Sequence, residues 1–148
     1  MTREVPAVRI MPMSDRMDGF EGKGIEQVQR ELFLGDLPRN GGKYRYPSSG
    51  LKAEAGTVVL FQYRARVIAL AVFVRDEKFP KARGGYAGAM HFELGTIRTF
   101  EPVDAAGMRA VWPGFRAFGH VKQRLNPWRY EAFEKGLKGV KKPRQGRA

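Results

Sequence analysis

The chain contains no cysteine and only two histidines, His91 and His120. Without cysteine there is no disulfide, no thiolate nucleophile and no thiolate metal site, which fits a reducing cytoplasm. A zinc deaminase is excluded: His91-Phe92-Glu93 has the outward form of its His-x-Glu triplet, but no cysteine completes the zinc shell. Two histidines are too few for a histidine-based metal site. Long apolar runs are also missing. The longest, Val67 to Val74, has the length of a strand and falls far short of a membrane span. The start of the chain, with its arginines and Pro6, lacks the apolar stretch of a secretory signal. Negative charge is scarce: 27 lysines and arginines face 15 carboxylates, leaving +12 on 148 residues. Such an imbalance points to a polyanionic partner, nucleic acid before an anionic membrane surface.

What is present belongs to one domain with a core. Residues 1–23 are polar, rich in methionine and glycine, and read as a loosely held arm. Residues 24–139 form the domain, and 140–148 a basic tail. Ile25, Val28, Leu32 and Phe33 share one face of a short helix that Gly35 is expected to end. Residues 36–55 read as a turn-rich loop. Two β-rich runs follow, Thr57 to Tyr63 and Arg66 to Val74, and the short Arg64-Ala65 link predicts a tight hairpin although it holds neither glycine nor asparagine. The second strand is apolar throughout, so both of its faces are expected to be covered. Arg75 to Gly88 reads as a charged loop. Met90, Phe92 and Leu94 alternate with His91 and Glu93 as in a strand with one wet face, and Gly95 predicts a bulge or bend. Asp104 is placed to cap a helix over Ala105 to Val111, stopped by Pro113, and Asn126-Pro127 opens a last helix carrying Tyr130, Phe133 and Leu137 on one face. Short bent strands with helices packed outside predict an α+β fold: a small β-barrel with peripheral helices.

Three sets of side chains are candidates for function. Cations come first: Arg39, Lys43 and Arg45 around Tyr44 and Tyr46; Lys78, Lys81 and Arg83 before Tyr86; and Arg116, Lys122, Arg124 and Arg129 near the last helix. Each phosphate contact releases counterions, giving salt-dependent grip without sequence preference. Aromatics outside the core periodicity come second: Tyr44, Tyr46, Tyr63, Tyr86, Trp112 and Trp128, of which Trp112 is the first choice for a base pocket because Pro113-Gly114 would hold it at the end of an element. Third are groups that can meet a base edge: Gln62, His91, Glu93, Gln123, Asn126, Ser48 and Ser49. Catalysis has less support. Asp76-Glu77-Lys78 has the composition of a metal-dependent nuclease site, but adjacent residues at a strand end diverge. There is no nucleophile elbow, and Gly84-Gly85-Tyr86-Ala87-Gly88 is no phosphate-binding loop.

The hairpin from Gly56 to Tyr63, its return strand Arg66 to Val74 and the Phe118 to Phe133 block together resemble the PUA-like superfamily, which includes the EVE, ASCH and YTH domains. The likeness is one of layout and covers roughly residues 25 to 138. It implies a PUA-like barrel that flips a modified base into an aromatic-lined pocket; some restriction-associated members read 5-methylcytosine. On that resemblance Gln62, Tyr63 and Trp112 would form the pocket wall, with Tyr86 and His91 beside it. The ASCH spacing of glycine, lysine, glutamate and arginine is not evident, and no residues match the tryptophan cage of YTH domains.

The expectation is therefore a non-enzymatic, cytoplasmic and nucleoid-associated module without a cofactor. It would bind methylated duplex DNA through a pocket of Gln62, Tyr63, Tyr86, His91, Glu93 and Trp112, with cleavage left to a nuclease domain or partner protein and no membrane involved. An RNA-binding module in translation or RNA processing is the first alternative, and a small metal-dependent nuclease using Asp76 and Glu77 the second.

Overall fold

A computed structural model describes residues 5–14, 20–47, 50–119 and 121–143. Seven strands make one mixed sheet: β1 (Val8–Met13), β2 (Lys43–Tyr46), β3 (Val58–Tyr63), β4 (Arg66–Arg83), β5 (Tyr86–Phe92), β6 (Arg98–Val103) and β7 (Arg124–Leu125). The order is β2-β5-β4-β3-β1-β7, with β6 added on β4. β1 runs parallel to β3, and the other pairs are antiparallel. β2, β6 and β7 pair with no strand that would join them, so the sheet is open and the expected barrel is not formed.

The reason lies in β4. Its first half pairs with β3 and β6, and its second half with β5, so one long strand serves both parts of the sheet. Its apolar faces are covered by helices instead of by closure. Val59, Phe61, Ile68 and Phe73 face a core with Val28, Phe33 and Leu37 of the first helix. Val58, Leu60, Val67 and Leu70 face a second core with Met108, Tyr130 and Phe133 of the last two helices. The pairing slips between Phe61↔Ala69 and Gln62↔Val67, leaving Ile68 as the extra residue of a bulge. Gln29 reaches in from the first helix and donates to the carbonyls of Ile68 (3.0 Å) and Phe100 (2.7 Å). These acceptors lie beside the irregular ladder, where buried carbonyls need partners.

The first helix, α1, does not stop at Gly35. It starts at Ile25–Val28, widens into a π-helical stretch Gln29–Asp36 and closes with Leu37–Arg39. Burial of Val28, Phe33 and Leu37 carries it through the glycine. The true stop is Asn40-Gly41-Gly42, where the glycines take φ of +70° and +84°. α2 (Ala105–Val111) begins as expected, with Asp104 accepting from the Gly107 N–H at 2.9 Å. Before α3 (Tyr130–Gly136), Asn126 Oδ1 accepts from the Trp128 N–H at 2.9 Å and opens a 3-10 turn over Pro127–Arg129.

Three further segments differ from the sequence reading. Val8–Met13, expected within a loose arm, is an interior strand. Lys43–Tyr46, expected in a loop, is the edge strand β2. Arg75 to Gly88, also expected as a loop, is the far half of β4, a Gly84-Gly85 turn and the start of β5. The expected break at Gly95 is a 3-10 turn, Leu94–Thr96. Ser48, Ser49 and His120 lie outside the described residues, as do much of the expected arm and the last residues of the tail. Lys141, in that tail, exchanges two backbone hydrogen bonds with Thr99 at 2.9 Å.

Candidate nucleic-acid interface

The arrest of α1 by its glycine pair turns the chain directly into β2, so the helix lies beside the β2–β5 edge. Between them is a groove of about 450 Å³. Phe20, Leu32, Tyr44 and Tyr86 are among its lining residues. Tyr44 is fixed from behind by Phe61, whose ring centroid lies 5.8 Å away. Burial first, and the neighbouring Tyr86 second, push the Tyr44 phenol above its usual range, so it stays protonated as a hydrogen-bond donor. The Arg45 guanidinium lies 5.9 Å from the centre of the Tyr86 ring. Asn40 supplies an amide, while Glu31 and Asp36 supply carboxylates. Glu31 accepts from Lys23 (2.6 Å) and Gln27 (2.9 Å), and Asp36 pairs with Arg39. The volume falls within the roughly 300–1,000 Å³ of small-ligand sites. Aromatic faces, acceptors and a cationic rim are what a nucleobase with its phosphate requires.

Lys43, which also lines the groove, pairs in register with His91, and His91 with Arg75. Glu77 joins them, 2.9 Å from His91 Nε2 and 3.4 Å from Lys43 Nζ. The hydrogen bond from His91, then that from Lys43, holds the Glu77 carboxyl below its usual range. Asp76 points the other way, towards Tyr46, whose phenol is raised to about 12 by burial and then by that carboxylate. Asp76 and Glu77 thus sit on opposite faces and share no ligand position. Among the described residues, no three histidines or carboxylates gather as metal ligands.

Of the six side chains expected in a base pocket, Tyr86 alone lines this groove. Tyr63 is fully buried and donates its one hydroxyl hydrogen to the Lys23 carbonyl (2.7 Å), with the Phe20 carbonyl 3.2 Å away, pinning the segment that enters α1. Gln62 donates to the Gly119 carbonyl at 3.0 Å. Trp112 is in the second core, its ring 5.3 Å from that of Phe133 and its indole N–H bonded to the Asn126 carbonyl at 2.8 Å. The Pro113-Gly114 signal therefore marks a core anchor. His91 is bound to Glu77, and Glu93 is exposed beside the turn after β5. Phe20, Glu31, Asp36 and Asn40 were missed. The signal available for Glu31 and Asp36 was their place on the polar side of an amphipathic helix.

The expected phosphate contacts divide by location. Arg39 ends α1, Lys43 and Arg45 belong to β2 and line the groove, and Lys81 and Arg83 belong to the end of β4. Lys122 holds the Gly50 carbonyl at 2.8 Å; burial and then Arg9 lower its pKa, partly offset by Asp76. Arg124 is exposed at the far edge, in register with Arg9. Arg116 and Arg129 lie around the end of α2, where Arg129 approaches the Val111 carbonyl at 3.5 Å. No described helix is long and apolar enough to cross a membrane. Comparison of the chain with family models, with curated proteins and with solved structures gives no match.

Proposed function

We propose that the protein is a nucleic-acid-binding module. In this reading the groove between α1 and the β2–β5 edge holds one extruded base, and the cations of β2 and the β4–β5 hairpin hold the backbone. The observation that carries it is Tyr86 at the groove wall with the Arg45 guanidinium over its ring and Lys43 on the same strand. That is a stacking face next to phosphate-binding charge, on a chain of net charge +12. Glu31 or Asp36 can accept from the exocyclic amino group of a cytosine, so we place duplex DNA carrying 5-methylcytosine first among the ligands. One buried methyl contributes about 0.8 kcal/mol, and further discrimination must come from the shape of the groove. Strand cleavage, in this reading, belongs to a separate nuclease domain or partner.

The test is an anisotropy screen over duplex DNA, single-stranded DNA and RNA of equal length, each with and without one modified base, at several salt concentrations. Affinity that falls steeply with salt and is highest for the methylated duplex supports the proposal. Equal affinity for methylated and plain duplex removes base reading and leaves DNA binding alone. Preference for RNA transfers the groove to the RNA-binding reading, and absence of binding at low salt ends the proposal.

A further inference from the structure

The most exposed large side chain among the described hydrophobics is Trp128, at 85%. Its turn is rigid: Asn126 caps its N–H, Pro127 fixes the residue before it, and the Asn126 carbonyl is held by the buried indole of Trp112. An indole held out on a rigid turn loses little conformational freedom when something covers it. Trp128 also borders a second and larger concavity, of about 910 Å³, on the opposite side of the sheet from the first groove. Its floor is apolar, formed by Val5, Pro6, Val58 and Val72.

The charges of this surface are matched. Arg98 pairs with Glu134 at 2.8 Å, and Glu131 with Lys135 at 2.8 Å. Among the described lining residues Arg98 stands against Glu131 and Glu134, which does not suit a polyanion, unlike the groove beside β2. At moderate salt, charges beyond about 8–10 Å are screened, so two copies of net charge +12 oppose contact least where the local charges are paired, as they are here. A protruding ring and a hollow side by side on one surface are self-complementary under a two-fold rotation, which seats each ring in the other's hollow.

We propose that this surface pairs two copies of the chain across a two-fold axis, with Trp128 of each copy seated over Val5, Pro6, Val58 and Val72 of the other. The pairing leaves the β2–β5 groove of each copy open, and it does not depend on what that groove binds.

The experiment is sedimentation of the full chain, without nucleic acid, from about 1 to 200 µM. It is run for the unmodified protein, W128E and W128F, with acrylamide quenching of tryptophan emission along the same series. The expected result is a rise to the dimer mass with loss of quenching, a drop of at least about tenfold in association for W128E, and retention by W128F. Association should strengthen as salt rises, because screening weakens repulsion between like-charged copies, whereas nucleic-acid binding weakens. A monomer across the whole range overturns the proposal. So does W128E associating as well as the unmodified chain, or quenching that does not change with concentration.

Discussion

The turn that joins β3 to β4 is the clearest place to perturb the sheet. Arg64 and Ala65 both adopt left-handed backbone, with φ of +50° and +57°, in a two-residue link that ordinarily holds asparagine and glycine. A side chain in that region costs about 1–2 kcal/mol, and glycine returns about 0.5–1 kcal/mol of that through its greater freedom when unfolded. Ala65→Gly should therefore stabilise the fold by about 0.5–1 kcal/mol. Arg64 is better left alone, because its guanidinium lies 5.6 Å from the centre of the Tyr63 ring, and Tyr63 holds the groove-side segment at Phe20 and Lys23. Urea unfolding followed by circular dichroism reads the effect. With a slope of about 2 kcal/mol per molar, the midpoint should rise by about 0.25–0.5 M with the slope unchanged. The thermal midpoint should rise by about 2–4 °C per kcal/mol. A midpoint that stays or falls refutes the argument that this turn is strained.

Other substitutions test other parts of the structure. Trp112→Ala should cost about 3–5 kcal/mol in the same assay because it empties part of the second core, while Trp128→Ala, measured at low concentration, should stay within about 0.5 kcal/mol. Gly88→Ala would press a methyl group into the Tyr46 hydroxyl and the Glu77 carbonyl, and should destabilise by about 1–3 kcal/mol. The Glu77 carboxyl lies below its unfolded value near 4.5 in the folded protein, so its contribution is full above that value and is lost as pH falls through the lower, folded one. The thermal midpoint of the unmodified chain should accordingly fall on acidification below about pH 4.5, and that of Glu77→Gln should fall less over the same window. Parallel curves for the two proteins would contradict the assigned pairing with His91 and Lys43.

The caps and the β3–β4 hairpin are legible in the sequence, whereas the Gly84-Gly85 turn and the segments decided by packing are not. Asp104 and Asn126 cap helices through their own side chains, and the hairpin across Arg64-Ala65 follows from two β-rich runs a short link apart. A glycine costs about 1 kcal/mol in mid-helix, which gives Gly35 the look of a helix end. Three buried side chains at Val28, Phe33 and Leu37 outweigh that, and the actual stop needs the left-handed pair Gly41 and Gly42. The apolar face-to-face pattern of β4 established that both sides would be covered. It could not say by what, since a closed barrel and a pair of helical layers place the same demand on the strand. The charged residues from Arg75 to Arg83 disguised a strand because they alternate across an exposed arm with no apolar face of its own. The two tryptophans show the limit most plainly: the proline and glycine after Trp112 fit a pocket rim as well as a core anchor, and only the fold shows that Trp112 is inside and Trp128 outside. For the groove, Tyr86 and the surrounding cations were legible. Asp36 and Asn40 join Glu31 and Tyr86 in lining the groove only once α1 continues past Gly35.

In the proposed function one base rests against Tyr86 while nearby cations hold the strand. This arrangement is tested most directly by titrating a labelled duplex carrying a single 5-methylcytosine with the unmodified protein, Tyr86→Ala and Arg45→Ala over a range of salt. Loss of the stacking face should weaken binding by about 1–3 kcal/mol without altering the salt slope, whereas loss of Arg45 should lower that slope by about one. Tyr86→Ala binding the methylated duplex as tightly as the unmodified protein would contradict the account.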